Sequence, residues 1–145
     1  MAELKFSALI LAAGKAMRFK SEHSKVLHPL AGLPLGAYVL RAAQAGGPER
    51  IYMVVGHESE RVRETFARDG LKFVQQRQQR GTGDAVMAAR TALEKCPSPN
   101  LVVLVGDAPL LNGDTLTSLV ECHTQSEASA TVLTTRLEDP RGYGR

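Results

Sequence analysis

A run of cations, Lys15, Arg18, Lys20 and Lys25, follows a single glycine at the end of an apolar stretch in LILAAGKAMRFKSEHSK (Leu9–Lys25). Backbone N–H groups around a glycine, backed by cationic side chains, make a cradle for phosphate. Two standard phosphate motifs are excluded. The P-loop pattern G-x-x-x-x-G-K-[ST] fails because Phe19 stands at its second glycine, and the dinucleotide pattern G-x-G-x-x-G fails at Ala16 and again at Phe19. An anion site of another kind and a tight turn with solvated lysines both remain open.

Two other stretches can carry chemistry. GDAPLL (Gly106–Leu111) follows the most apolar run of the chain, so Asp107 stands at the end of a buried strand. An aspartate there can hold Mg²⁺ beside phosphates, or simply shape a turn. RGTGDA (Arg80–Ala85) is a glycine-rich entry to a helix. Its free N–H groups can read the polar edge of a base, or Thr82 or Asp84 can cap the helix. Gln75, Gln76, Gln78 and Gln79 precede it and can offer an amide to a base. His23, His28, His57 and His123 share no ligand spacing, and no G-x-S-x-G nucleophile motif occurs.

The elements that must position these residues alternate. FSALIL (Phe6–Leu11), IYMVVG (Ile51–Gly56), LKFVQQ, LVVLVGD (Leu101–Asp107) and ATVLTT (Ala130–Thr135) are expected strands. A polar loop is expected after the first of them, and between the strands LGAYVLRAAQAG, which stops at Gly46 and Gly47, ESERVRETFARDG, GDAVMAARTALEKC and GDTLTSLVECHTQ carry helical spacing or stop signals. Apolar strands alternating with helices predict an α/β fold, a doubly wound and mostly parallel sheet covered on both faces. One domain over residues 1–145 is expected, with no second domain. Ligands of such folds sit at the carboxyl ends of the strands. That rule selects the segments after Leu11, after Val55 and after Val105.

Composition agrees with one soluble domain: 145 residues, 43% hydrophobic and 23% charged. No apolar run approaches the roughly 18 residues that span a bilayer, and the N-terminus lacks signal-peptide features, so a cytoplasmic location and no membrane partner are expected. The two cysteines, Cys96 and Cys122, form no disulfide or zinc pattern. The net charge is +3, without tryptophan and without a basic block interleaved with aromatics, so nucleic acid is not an expected partner. The terminal DPRGYGR holds glycines and a proline where a functional loop would begin. A truncated chain or a fragment is therefore expected.

Taken together, LILAAGKAMRF, SKVLHPLAGLP, GTGDAV, VGDAPLL and DPRGYGR resemble, in order and spacing from Leu9 to Arg145, the sugar-1-phosphate nucleotidyltransferases. Within them the chain is most similar to the uridylyltransferase half of the bifunctional bacterial N-acetylglucosamine-1-phosphate uridyltransferases. The resemblance implies a Rossmann-like nucleotidyltransferase fold, truncated before its sugar-binding part. It implies UTP and a sugar-1-phosphate as substrates, UDP-N-acetylglucosamine and pyrophosphate as products, and Mg²⁺ as cofactor. By position, Leu11, Ala12, Ala13 and Gly14 would hold the nucleotide through backbone groups. Lys15 and Arg18 would hold the triphosphate, and Lys25 the phosphates at the reacting end, with Arg18 and Lys25 catalytic. Gln76, Gly81 and Thr82 would read uracil. Val105, Gly106 and Asp107 would line the nucleotide, with Asp107 ligating the metal, and Gly142 would approach the sugar. The family usually has glycine where Ala16 stands. It also continues past GYGR into further sugar contacts, a second metal-ligating residue and a β-helix acetyltransferase domain, which would make the full-length protein a homo-oligomer. This chain would then bind nucleotide with reduced turnover. The alternatives are another nucleotidyltransferase, for cytidylyl or guanylyl transfer, and a non-catalytic nucleotide-binding module.

Overall fold

The computed structural model describes residues 4–15, 21–68, 70–139 and 141. Arg18, Gly142 and Ala16 lie outside the described residues.

Strand β1 (Phe6–Ala12) is almost entirely apolar and buried along its length. Such a run suits the centre of a parallel sheet, where both faces are covered. Its neighbours are β4 (Arg50–Val55) on one side and β6 (Asn100–Val105) on the other, both parallel to it, and β5 (Leu71–Gln75) pairs with β4. The order is β5-β4-β1-β6, a four-stranded sheet. Register places Leu9 opposite both Tyr52 and Val103. Alternation then sorts the side chains. Phe6, Ala8, Ile10, Met53 and Val55 face a core completed by helices α1 (Leu35–Ala45), α2 (Ser59–Phe66) and α5 (Gly113–Gln125). Leu9, Tyr52 and Val54 face a smaller core with Ala85 of α3 (Thr82–Ala88), Ala89 and the partly buried Leu93 of α4 (Arg90–Leu93). The expected doubly wound α/β architecture is what the chain adopts.

Three expectations need correction. The helix read across GDAVMAARTALEKC is pinched at Ala89. Ala89 N–H donates to Val86 O at 3.0 Å and Ala92 N–H to Ala89 O at 3.0 Å, the tighter i to i−3 pattern, while Ala89 itself is fully buried. The segment between β1 and α1 is more than a polar loop. It contains a short 3₁₀ turn (Lys25–Leu27) and a small antiparallel hairpin, β2 (Pro29–Leu30) with β3 (Leu33–Pro34), turned by Ala31 and Gly32 at φ 46° and 84°. Finally, Ala130–Thr135 is not a strand. Among the described residues no strand pairs with the outer edge of β6. The segment instead lies along β6 and α5, where His123 Nδ1 and Thr131 Oγ1 are 2.9 Å apart, and with them it lines an apolar groove.

Candidate active site

From β1 the chain moves outward to β4 and β5, then returns to the other side of β1 as β6. The loops leaving β1 and β6 therefore diverge, and a crevice opens at the carboxyl ends of the strands. A cavity of about 530 Å³ lies there. Leu11, Ala12, Ala13, Gly14 and Lys15 form one wall, with Lys25 and Val26 beside them. Gln76, Gln79, Gly81, Thr82 and Ala85 form a second, and Val105 and Asp107 a third.

The exits of β1 and β6 are held in contact by glycine. Gly106 N–H donates to Leu11 O at 2.9 Å, which extends the ladder past the end of the strands. A Cβ on Gly106 would stand 2.7 Å from both Leu11 O and Val26 Cγ1, distances that side-chain carbons do not tolerate. Gly106 thus lies behind the cavity wall and lets Val105 and Asp107 reach the cavity from its two sides.

The basic loop returns to its own start. Lys15 and Ser24 form an isolated antiparallel bridge, and the 3₁₀ turn that follows sets Lys25 on the cavity. Lys25 Nζ lies 3.1 Å from Asp107 Oδ2, with the two side chains 22% and 36% exposed. The arm that carries Lys25 is clamped from behind by Glu58. That residue holds a left-handed backbone (φ 51°, ψ 39°), uncommon for a side-chain-bearing residue. Its carboxylate accepts the Ser24 N–H at 2.5 Å and lies 3.2 Å from His23 Nδ1 and 3.3 Å from Arg61 Nη1. The Ser24 N–H above all, helped by His23 and Arg61 against a push from burial, holds the Glu58 carboxyl below the usual glutamate range. His57 Nε2 adds a bond to Glu22 O at 2.5 Å.

Across the cavity, Gln76 is 4% exposed. Its N–H donates to Val55 O at 2.8 Å, and its side-chain Nε2 donates to Asp84 Oδ2 at 2.7 Å and Gly81 O at 3.4 Å. The N-terminus of α3 is capped by no side chain: Gly81 precedes it at φ 109°, and Asp84 is engaged with Gln76 rather than with the helix backbone.

Every described residue chosen from the sequence therefore meets at this one place, with Gly106 just behind the wall. The structure adds Val26 and Ala85 to the lining, and of the four glutamines it places Gln79 there beside Gln76. VLHPLAG contains Val26, but nothing in it marks that residue as a wall. Glu58 carries no sequence signal, because its partner Ser24 is 34 positions away. Cys96 and Cys122 are free thiols away from the cavity lining. Among the described residues no group of three or more His, Cys, Asp or Glu side chains could hold a metal by itself. No described helix is long and apolar enough to cross a membrane.

Residues 8–142 match a family described as the MobA-like NTP transferase domain. A relative from Koribacter versatilis named Bifunctional protein GlmU is 46% identical over 142 residues, covering 97% of this chain and 30% of the relative. One of the same name from Pelobacter propionicus is 48% identical over 140 residues, covering 96% and 30%. The chain thus spans about 30% of the length of these curated relatives. Among solved structures, a UDP-glucose pyrophosphorylase from Acinetobacter baumanii is similar with a TM-score of 0.69 at 20% identity, over 84% of this chain and 53% of that one. A Mycobacterium tuberculosis protein in complex with manganese gives 0.65 at 21% identity, over 83% and 60%. These structural likenesses concern the fold alone. With the family match running over nearly its whole length, the chain belongs to the MobA-like NTP transferase domain family.

Proposed function

We propose that this chain is the nucleotide-binding, N-terminal part of a UTP:N-acetylglucosamine-1-phosphate uridylyltransferase, a cytoplasmic enzyme that makes UDP-N-acetylglucosamine for the cell wall. The observation that carries the reading is the single cavity in which the backbone after β1, Lys15, Lys25, Gln76, Gly81, Thr82 and Asp107 converge. The name shared by the curated relatives supports the choice of substrate.

The reaction asks little covalent chemistry of the protein. A phosphate oxygen of the sugar-1-phosphate attacks the α-phosphorus of UTP, the α–β bridging P–O bond breaks, and pyrophosphate leaves with the electron pair. The obstacle is two anions that repel each other, and catalysis is positioning plus charge neutralisation. Backbone groups of Leu11 to Gly14 hold the nucleotide. Lys15 binds the triphosphate together with Arg18, and Lys25 faces the phosphates at the reacting end. Gln76, Gly81 and Thr82 hold the base, and Gly142 approaches the sugar.

Asp107 fits a Mg²⁺ ligand. Its carboxylate edges the cavity beside Lys25, and Mg²⁺ is commonly held by one or two carboxylates completed by substrate phosphates. The metal, when bound, would lower the repulsion between the two phosphate groups. The manganese bound by a protein of the same fold is compatible with a divalent ion here.

The test is pyrophosphate release by the intact protein from UTP and N-acetylglucosamine-1-phosphate. Release that needs both substrates and Mg²⁺ is the expected result. CTP or GTP outcompeting UTP would point to a different nucleotidyltransferase, and no release with any nucleotide would point to a binding module.

A further inference from the structure

The Gln76 amide is oriented by its neighbours. Its Nε2 carries two hydrogens, and the structure supplies two partners for them, Asp84 Oδ2 at 2.7 Å and Gly81 O at 3.4 Å. Both are oxygens of groups that accept, and a carbonyl or carboxylate oxygen cannot donate. The NH₂ end must therefore face them. Turning the amide over would set oxygen against oxygen at a side chain only 4% exposed, where an unmet polar group is costly. The carbonyl end, Oε1, is what remains for the cavity that Gln76 lines, and among the described residues no group donates to it.

We propose that Asp84 is a specificity-positioning residue: by binding the Gln76 NH₂ group it presents a hydrogen-bond acceptor, not a donor, to the base. The inference rests on the uridine reading above and gives it a cause. Uracil carries an N–H at ring position 3 and meets an acceptor with a donor. Cytosine carries a lone pair at that position, so acceptor would face acceptor, and its nearest donor is the exocyclic amino group one substituent away. Gly81 O cannot do the work of Asp84, because its bond to Nε2 is the longer of the two and lies near the outer limit for a hydrogen bond. Asp84 is partly exposed on the first turn of α3, which allows it to be changed without opening a core.

The test compares UTP and CTP affinities of the intact protein for the wild type, Asp84→Ala and Asp84→Asn, with thermal stability followed alongside. The wild type is expected to prefer UTP by at least about tenfold, the worth of one well-placed hydrogen bond. Asp84→Ala frees the Gln76 amide to turn, so the preference should shrink to within about threefold, chiefly through loss of UTP affinity. Asp84→Asn still offers a carbonyl oxygen to Gln76 and should keep the preference. A merely structural role would lower both affinities alike and leave their ratio standing. If Asp84→Ala does not fold, Asp84→Leu fills the space without an acceptor and repeats the measurement. A wild type that prefers UTP, with the preference intact in the acceptor-less variant, overturns the role of Asp84 alone. A wild type with no preference for UTP overturns the uridine reading and this inference with it.

Discussion

The two ends of the parallel sheet use polar residues in opposite ways. At the amino end, Ser7 of β1 is buried and its Oγ lies 2.9 Å from Cys96 Sγ and 2.8 Å from Ser98 Oγ, while Ser98 in turn donates to the Glu49 carboxylate. Burial pushes the Cys96 thiol up, but bonds with Ser7 and Ser98, and Tyr52 behind them, bring it below its ordinary value. Each polar group there is answered by another polar group of the chain. At the carboxyl end the polar groups line a cavity instead: the backbone after β1, the Gln76 side chain, Lys15, and the pair that Lys25 makes with Asp107. A fold satisfies its buried polar atoms wherever it needs only to be stable. The end at which polar groups line a cavity is the end to which we assign the ligand.

This contrast can be broken from either side. The largest effect is expected at Lys25. Lys25→Ala should lower kcat/KM by about 100-fold or more through lost charge neutralisation, while its partly exposed pair with Asp107 contributes under about 1 kcal/mol to folding. Steady-state kinetics and a urea melt on the same sample check the separation. Gly106→Ala crosses the boundary between the two ends. The added methyl has no room against Leu11 O and Val26, so a loss of about 1–3 kcal/mol and weaker nucleotide binding should appear together.

Ser7→Ala is the converse of Lys25→Ala. It removes the centre of the closed network and should cost about 1–2 kcal/mol in denaturant unfolding, with UTP affinity unchanged. The smallest effect concerns the Glu58 clamp. Its carboxyl is lowered in the folded chain, so its contribution is present above the ordinary glutamate range and is lost as pH falls through the folded value. Glu58→Gln should therefore be less stable than wild type at neutral pH, by about 1 kcal/mol or less, and the two melting curves should converge on acidification.

Much of this organisation was legible in the chain. Apolar runs located β1, β4, β5 and β6, the stop signals at Gly46 and Gly47 marked the end of α1, and the glycine-then-cation pattern found the wall that runs from Leu11 to Lys15. These are local signals, with a period or a turn residue to announce them. What stayed hidden was set by distant partners. Ala130–Thr135 has the composition of a strand, but a strand exists only where another one pairs with it, and here the segment rests on β6 and α5. Asp84 looks like a helix-capping residue until the buried Gln76 amide is seen to occupy it. Glu58 gave no hint at all, since both its left-handed backbone and its bond to Ser24 depend on the loop that β1 sends out to meet it.

Hydrogen exchange of the intact protein, with and without UTP and Mg²⁺, compares the two ends in a single experiment. Binding at the carboxyl end should slow exchange in residues 12–15, 76–85 and 105–108 and leave residues 5–7, 46–50 and 96–100 unchanged. Protection centred on Ser7, Cys96 and Ser98, with none around Gly14 and Asp107, would contradict the assignment of the site.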